Sequence, residues 1–253
     1  MQLRPLGTSS LSLTPLGFGS FKIGRKEGAK YAASYDLSDD ATAERILNGV
    51  LDLGMNWIDT APAYGIAEGR IGTFLSHRNH EFIISTKVGE RFSNGCSTFD
   101  FSTAAICTSI DRSCRLLHRD VLDIVFIHSD GRDLAILNET DAVASLMALK
   151  QAGRIRAIGL SGKTVAGARA ALQWADVIMV EYHADDDSHA DVMHEAQSQG
   201  VGVIIKKALA SGSHAPATAI ALALRHPAVT AIAVGGLNLE HMAANIRAAE
   251  GHQ

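Results

Sequence analysis

Short runs of apolar residues alternate with longer segments of helical periodicity along almost the whole chain. Each run is continuous and four to eight residues long, which is typical of a strand buried on both faces of a parallel sheet. We predict eight such strands, near residues 14–19, 55–59, 81–87, 121–127, 155–160, 176–181, 201–206 and 230–234. Helices are predicted between them, near residues 39–53, 66–76, 101–117, 139–151, 164–174, 189–198, 215–225 and 239–249.

Eight strand–helix units in 253 residues match the requirement for a closed barrel. We therefore predict the α/β class and a (β/α)8 TIM barrel, as one domain over residues 1–253. The alternative is an open, doubly wound sheet. Leucines flank a turn at residues 7–10, which predicts an N-terminal β-hairpin over the bottom of the barrel. Segments 25–35 and 88–99 are predicted as long loops at the opposite rim, where loops shape substrate access.

Composition and charge exclude several classes of partner. The formal net charge is −4 with both signs interspersed, so no basic face is predicted for a nucleic acid or an anionic membrane. No apolar run is long enough to span a bilayer and the N-terminus lacks an apolar signal core, which favours a cytoplasmic protein. The three cysteines cannot all pair and lack a Cys-x-x-Cys spacing, which fits a reducing compartment. Nothing in the sequence indicates the oligomeric state.

Polar residues stand where three successive apolar runs stop. Asp59 closes the second run, Lys87 the third and His128 the fourth, and Tyr64 follows Asp59 by five residues. Because the carboxyl ends of parallel strands meet at one rim of a barrel, these four side chains are predicted to lie together.

A phenol, an ammonium, a carboxylate and an imidazole together suit proton transfer at a carbonyl oxygen. A free phenol is a weak acid at neutral pH, but a nearby ammonium stabilises the phenolate and lowers the pKa. The carboxylate keeps the ammonium charged, and the imidazole can hold a carbonyl oxygen. Such a site also needs a hydride source or sink that no side chain supplies, so a nicotinamide cofactor and a small carbonyl substrate are implied.

Several segments resemble the aldo-keto reductase family. They are the signature from Trp57 to Gly65 with Glu68 and Gly72, the lysine strand Ser85–Lys87, the histidine strand ending Ile127–His128, and the fifth strand Arg154–Ser161. The resemblance extends from about Leu3 to Asn245. It implies a barrel enzyme that reduces aldehydes and ketones with NADPH, or with NADH as the alternative. By resemblance Tyr64 is the general acid, Lys87 and Asp59 tune it, and His128 orients the carbonyl.

The same resemblance implies the residues that bind the cofactor. They are Gly19, Ser20, Asp59, Ser161, Met179, Lys206, Gly235, Asn238, His241 and Asn245. Met179 stands where the family has a glutamine that binds the carboxamide, and Lys206 where an aromatic residue often stacks on the nicotinamide. The loop after the eighth strand lacks the usual cations for a 2′-phosphate, with His241 as a partial substitute.

Two other interpretations remain open at this point. A nicotinamide-binding barrel with little turnover could serve as a regulatory or redox-sensing module, which the departures at Met179 and Lys206 motivate. An unrelated barrel lyase or isomerase would need phosphate-binding glycines, and Gly235-Gly236 is the one hint of them. No metal site is predicted, since the histidine- and aspartate-rich segment 183–189 is read as a solvated loop before a helix.

Overall fold

The apolar runs of the sequence form strands in a computed structural model of the chain, in which residues 1–28 and 35–251 are described. The strands are β1 (Arg4–Pro5), β2 (Ser12–Leu13), β3 (Leu16–Gly19), β4 (Trp57–Asp59), β5 (Ile83–Val88), β6 (Glu90–Ser93), β7 (Cys96–Phe99), β8 (Leu122–His128), β9 (Ile155–Ser161), β10 (Val177–Glu181), β11 (Gly202–Lys206) and β12 (Val229–Val234). The eight strands predicted from the sequence are all present.

The helical patterns form helices on the outside of the sheet. They are α1 (Phe21–Gly24), α2 (Asp40–Asp52), α3 (Ala67–Leu75), α4 (Thr103–Leu117), α5 (Asp133–Glu139), α6 (Ala142–Gln151), α7 (Val165–Ala171), α8 (Ala190–Ser198), α9 (Pro216–Arg225) and α10 (Leu239–Glu250). All eight predicted helices are present, and α1 and α5 are additional short helices in loops at the carboxyl ends of strands.

Eight parallel strands close into a barrel in the order β3, β4, β5, β8, β9, β10, β11, β12. The closing pair is β12 with β3, in which Val234 is the partner of Phe18. This closure confirms the predicted (β/α)8 TIM barrel and rules out the open, doubly wound sheet. All eight strands point the same way, so their carboxyl ends form one rim.

The core consists of two apolar layers, one between the sheet and its helices and one inside the barrel. The inner layer contains Trp57, Ile124, Phe126, Ala157, Val177, Met179, Ile204 and Ala231. Leu6, Leu11 and Leu13 of the N-terminal hairpin pack onto this layer and are 0–2% exposed. The predicted hairpin is therefore confirmed as β1 and β2. It buries the end of the barrel opposite the rim, which leaves the rim as the open end.

The long loop predicted at residues 88–99 is instead a second hairpin, β6 and β7, in which Ser93 pairs with Cys96. Its turn is Asn94-Gly95, with φ values of 51° and 79°. Two consecutive left-handed residues are what a tight hairpin turn requires, so the Asn-Gly pair was an available signal. The loop predicted at 25–35 includes residues 29–34, which lie outside the described residues.

Among the described residues, no helix combines the length and the apolar character that crossing a membrane requires. All three cysteines are free, with Cys96 exposed on the second hairpin and Cys114 buried.

Candidate active site

Lys87 and Asp59 form a buried ion pair at the carboxyl ends of the adjacent strands β5 and β4. Lys87 Nζ lies 2.8 Å from Asp59 Oδ2 and 2.9 Å from Oδ1, and donates to the carbonyl oxygen of Thr60 at 2.8 Å. Ser85 Oγ donates to Asp59 Oδ1 at 2.7 Å. The two charged side chains are only 2% and 5% exposed. Neighbouring strand ends therefore fix both charges in one place, shielded from water.

Tyr64 lies against this pair at the end of a short 3₁₀ helix, Pro62–Tyr64, that follows β4. Lys87 Nζ is 4.7 Å from the centre of the Tyr64 ring, and the phenol hydrogen-bonds with the ammonium. Burial alone would lower the pKa of Lys87, but the Asp59 carboxylate and the phenol outweigh burial and raise the pKa. Lys87 is therefore a permanent cation next to the phenol.

His128 faces the same phenol from the end of β8. The ring centroids of Tyr64 and His128 are 6.2 Å apart at an interplanar angle of 85°. Burial lowers the pKa of His128 below its ordinary value, and the nearby Glu90 carboxylate opposes this only in part. The imidazole is therefore mostly neutral at pH 7.

Glu90, on the hairpin strand β6, is a partner of His128 that sequence reasoning missed. Glu90 Oε2 lies 2.8 Å from His128 Nδ1. Burial would raise the pKa of Glu90, but contact with His128 and a hydrogen bond from Ser97 outweigh it and lower the pKa to about 2. The second hairpin therefore brings an ionised carboxylate to the imidazole.

A cavity of about 380 Å³ opens at the rim between these groups. Nine of the thirteen residues proposed from the sequence line it: Gly19, Asp59, Tyr64, Lys87, His128, Ser161, Met179, Lys206 and Gly235. A second cavity of about 650 Å³ shares Tyr64 and His128 and continues to Arg25 and to Phe99 on the hairpin. Tyr64 and His128 thus stand where the two cavities meet, and Asp59 and Lys87 line the smaller one.

Ser161 and Lys206 end β9 and β11, Met179 lies in the middle of β10 between them, and all three line the smaller cavity. Lys206 Nζ donates to Ser161 Oγ at 3.1 Å and to the carbonyl oxygen of Gly162 at 2.6 Å. Ser161 Oγ lies 3.6 Å from Met179 Sδ. Burial, with the neighbouring cations Lys207 and Lys87, lowers the pKa of Lys206 to about 7.

The four remaining sequence candidates lie outside this cavity. Ser20 is fully buried, and its backbone amide donates to Asp59 O at 2.9 Å. Asn238 is the N-cap of α10, where its Oδ1 accepts from the amides of Glu240 and His241 at 2.7 and 3.4 Å. Asn245 lies on the buried face of the same helix, whereas His241 is exposed. The cap leaves fewer helix amides for an anion than the sequence suggests.

The segment read from the sequence as a solvated loop, 183–189, brings two side chains next to a third from another loop. His183, Asp185 and His214 each have a potential metal-ligand atom within 4.8 Å of the others. These atoms already have polar neighbours, since His214 Nε2 is 2.8 Å from Asp185 Oδ2 and His183 Nε2 is 3.3 Å from Glu181.

Comparison with known proteins gives one consistent answer. The model of the Aldo/keto reductase family matches residues 15–218. L-galactose dehydrogenase of Arabidopsis thaliana is 33% identical over 226 residues, which is 84% of this chain and 66% of that enzyme. The chain therefore spans just under two thirds of that relative's length.

Two solved structures are similar over nearly the whole chain. PA4992, a proposed aldo-keto reductase of Pseudomonas aeruginosa, is 40% identical with a TM-score of 0.91, over 99% of this chain and 94% of that one. The holo form of aldo-keto reductase AKR11C1 from Bacillus halodurans is 28% identical with a TM-score of 0.85, over 99% of this chain and 91% of that one. With the family model matching most of the barrel, the protein belongs to the aldo/keto reductase family.

Proposed function

We propose that the protein reduces aldehydes or ketones to alcohols, and catalyses the reverse reaction, with a nicotinamide cofactor. The observation that carries the proposal is the contact of Lys87 with both Asp59 and Tyr64, in a cavity that His128 also lines. The family supports the same chemistry, and its relative from Arabidopsis thaliana is named as a dehydrogenase of a sugar, L-galactose.

The cavity has features that suit a nicotinamide ring. Gly19 and Gly235 form a stretch of wall without side chains. A larger residue at 235 would be crowded, since its Cβ would lie 3.0 Å from Gly19 O. Ser161, 1% exposed, offers a hydroxyl to a carboxamide, and the apolar side chain of Met179 lies beside it. We propose that these four residues hold the ring. The start of α10, with Asn238, His241 and Asn245, would meet the distant phosphate and ribose groups.

The polar groups of this chain supply the proton-transfer half of the reaction. Tyr64 donates its proton to the carbonyl oxygen during reduction and takes it back during oxidation. Lys87 stabilises the phenolate left behind, because Asp59 keeps the lysine charged and fixed. His128, with Glu90 behind it, sets the position of the carbonyl oxygen. When bound, the nicotinamide supplies or accepts the hydride at the carbonyl carbon.

Of the two cofactors, NADPH is proposed first because of the family, and NADH is the alternative. No lysine or arginine stands at residues 237–241, so His241 is the one titratable cation there that could meet a 2′-phosphate. Dissociation constants for both cofactors, in the wild type and in His241→Ala, decide between them. If the variant binds NADPH more weakly than the wild type but binds NADH equally well, NADPH is supported. If the substitution changes the dissociation constant of neither cofactor, NADH is supported.

The test of the function combines binding and turnover. Cofactor binding is followed by fluorescence, and turnover is measured with a panel of aldehydes and ketones and, in reverse, with aldoses including L-galactose. Tyr64→Phe should keep cofactor affinity within about twofold and lose turnover by at least a hundredfold, as expected for removal of a general acid. Tyr182→Phe, at a phenol that lines neither cavity, is the matched control and should behave like the wild type.

Three results would count against the proposal in different ways. Failure of the wild type to bind either cofactor would reject a nicotinamide site altogether. Binding without turnover of any substrate would favour a regulatory or redox-sensing barrel. Turnover that survives Tyr64→Phe would reject Tyr64 as the proton donor.

A further inference from the structure

Four lysines line the smaller cavity, namely Lys87, Lys163, Lys206 and Lys207, and the ion pairs of the described residues include Lys87 and Lys207 but not Lys206. Lys87 is held by Asp59 at 2.8 Å. Lys206 donates instead to two neutral acceptors, the hydroxyl of Ser161 and the carbonyl oxygen of Gly162. In the part of the chain that the structure describes, no carboxylate lies within ion-pair distance of Lys206 Nζ. The ammonium groups of Lys87 and Lys206 therefore stand in opposite electrostatic environments.

The carboxylates nearest to Lys206 are committed to other groups. Glu181, its register partner on β10, binds Lys207 Nζ at 2.5 Å. Asp133, on α5, accepts from the backbone amides of Lys163 and Thr164 at 2.9 and 2.7 Å. Neither carboxylate is free to neutralise Lys206.

The charged and titratable groups that surround Lys206 come from several elements. They are Lys207 beyond β11, Glu181 on β10, Asp133 on α5, Lys87 on β5, His128 on β8 and His189 before α8. Asp59, Tyr64, Lys163 and Asp186 line the same cavity. Burial has the largest effect on the pKa of Lys206, and the cations Lys207 and Lys87 lower it further. The two carboxylates raise the pKa only in part, leaving it at about 7.

The position of Lys206 matters because of what the cavity would hold. A ring that presents one carbon to a carbonyl between Tyr64 and His128 must lie in the cavity of about 380 Å³ that Lys206 also lines. A reduced nicotinamide ring is neutral, whereas an oxidised ring carries a positive charge. The repulsion between two positive charges several ångströms apart inside a protein weakens binding by much more than tenfold.

We propose that Lys206 distinguishes the redox states of the cofactor: the protonated amine accepts the reduced nicotinamide, and the oxidised nicotinamide binds only as Lys206 gives up its proton. This inference rests on the proposed function, since it requires the nicotinamide to occupy the cavity. The proton passes to the solvent, so binding of the oxidised form releases a proton and binding of the reduced form does not. Acidic conditions then favour loading of the reduced form and release of the oxidised form.

The size of the effect follows from proton linkage. Deprotonating a group with a pKa of about 7 before binding weakens affinity about 11-fold at pH 6 and about 1.1-fold at pH 8. The dissociation constant of the oxidised cofactor should therefore fall about tenfold between pH 6 and pH 8, beyond any change seen with the reduced cofactor. Near pH 7, about half a proton should be released per oxidised cofactor bound.

The experiment measures binding rather than activity. Dissociation constants for both redox states are determined by fluorescence and calorimetry at pH 6, 7 and 8, and proton release comes from calorimetry in two buffers of different ionisation enthalpy. Lys206→Met should abolish both the proton release and the excess pH dependence. Lys206→Arg, permanently charged, should bind the oxidised form more weakly than the wild type at pH 8 and release no proton. Lys26→Met removes a surface charge outside both cavities and should keep the wild-type pattern.

The outcomes separate this inference from the function on which it rests. If the wild type binds neither redox state, the proposed function fails. If it binds both with a ratio that does not change with pH, or if Lys206→Met keeps the wild-type proton release, Lys206 has no such role although the nicotinamide site stands. If Lys206 has a purely structural role, the Met and Arg variants should bind both redox states of the cofactor more weakly, and by the same factor. That result would also overturn the proposal.

Discussion

Replacing Glu90 with glutamine tests whether the second hairpin controls the imidazole at the rim. The Glu90 carboxylate is 2.8 Å from His128 Nδ1, and the two side chains are 13% and 19% exposed. Glutamine keeps the shape and can still accept the hydrogen bond that Ser97 donates at 2.6 Å. The substitution therefore removes mainly the negative charge.

The expected size follows from the pKa of Glu90. A fall from 4.5 to about 2 corresponds to about 3 kcal/mol that favours the folded protein with Glu90 ionised. Because the folded pKa is depressed, this stabilisation is present above about pH 4.5 and disappears as the pH falls towards 2. At pH 7 the variant should be less stable than the wild type by less than this upper bound of about 3 kcal/mol, because the neutral imidazole attracts Glu90 less than an imidazolium does, and the difference should shrink in acid.

Urea unfolding between pH 3 and pH 8 measures the stability difference, with Glu44→Gln on the exposed face of α2 as the control expected within about 0.5 kcal/mol. The pH profile of kcat/KM provides a second readout. Glu90 raises the pKa of His128, so without it any limb due to that imidazole should move to lower pH. Equal stability at pH 7 together with an unchanged pH profile would show that the contact has no energetic role.

Three further substitutions test packing and buried charge. Gly17→Ala on β3 should cost about 3 kcal/mol in urea unfolding, because the new Cβ would lie 1.8 Å from the ring of Trp57, and a wild-type midpoint would refute that crowding. Asp133→Asn should cost about 3 kcal/mol at pH 7 and less at pH 3, since backbone and hydroxyl donors depress the pKa of Asp133; equal loss at both pH values would contradict this. Glu68→Gln should remove a loss of stability on going from pH 5 to pH 9, because burial raises the pKa of Glu68, and a variant that loses as much as the wild type would argue against it.

The closed barrel and the four rim residues could be predicted because both depend on local patterns. An apolar run of four to eight residues that stops at a polar side chain defines a strand and its end at once. Parallel strands then place Asp59, Lys87 and His128 at one rim whatever their neighbours are, and the family signature adds Tyr64. No contact between distant segments had to be known to reach this arrangement.

Glu90 could not be assigned in the same way, because its role depends on where a hairpin folds back. The Asn94-Gly95 turn predicts a hairpin, but only the three-dimensional path brings Glu90 to Nδ1 of His128. Asn238 is the opposite case, a residue that the sequence proposed for the cofactor but whose side chain caps its own helix. Its position before α10 fits a phosphate-binding loop and a helix cap equally well, and its side chain bonds to two amides of its own helix.

The charge of Lys206 shows why residue type alone does not determine electrostatics. Lys206 and Lys207 are consecutive, and the in-register partner of Lys206 across the sheet is Glu181, which would ordinarily neutralise it. The backbone at Lys207 is left-handed, with φ of 55°, and Lys207 Nζ lies 2.5 Å from Glu181 Oε2. The carboxylate therefore pairs with the exposed lysine, Lys207, and not with the more buried Lys206. One uncommon backbone conformation thus leaves a titratable amine where the sequence shows only two positive charges. The same residue type on β5 stays a fixed cation, because among the described residues Lys87 is the cation that pairs with Asp59.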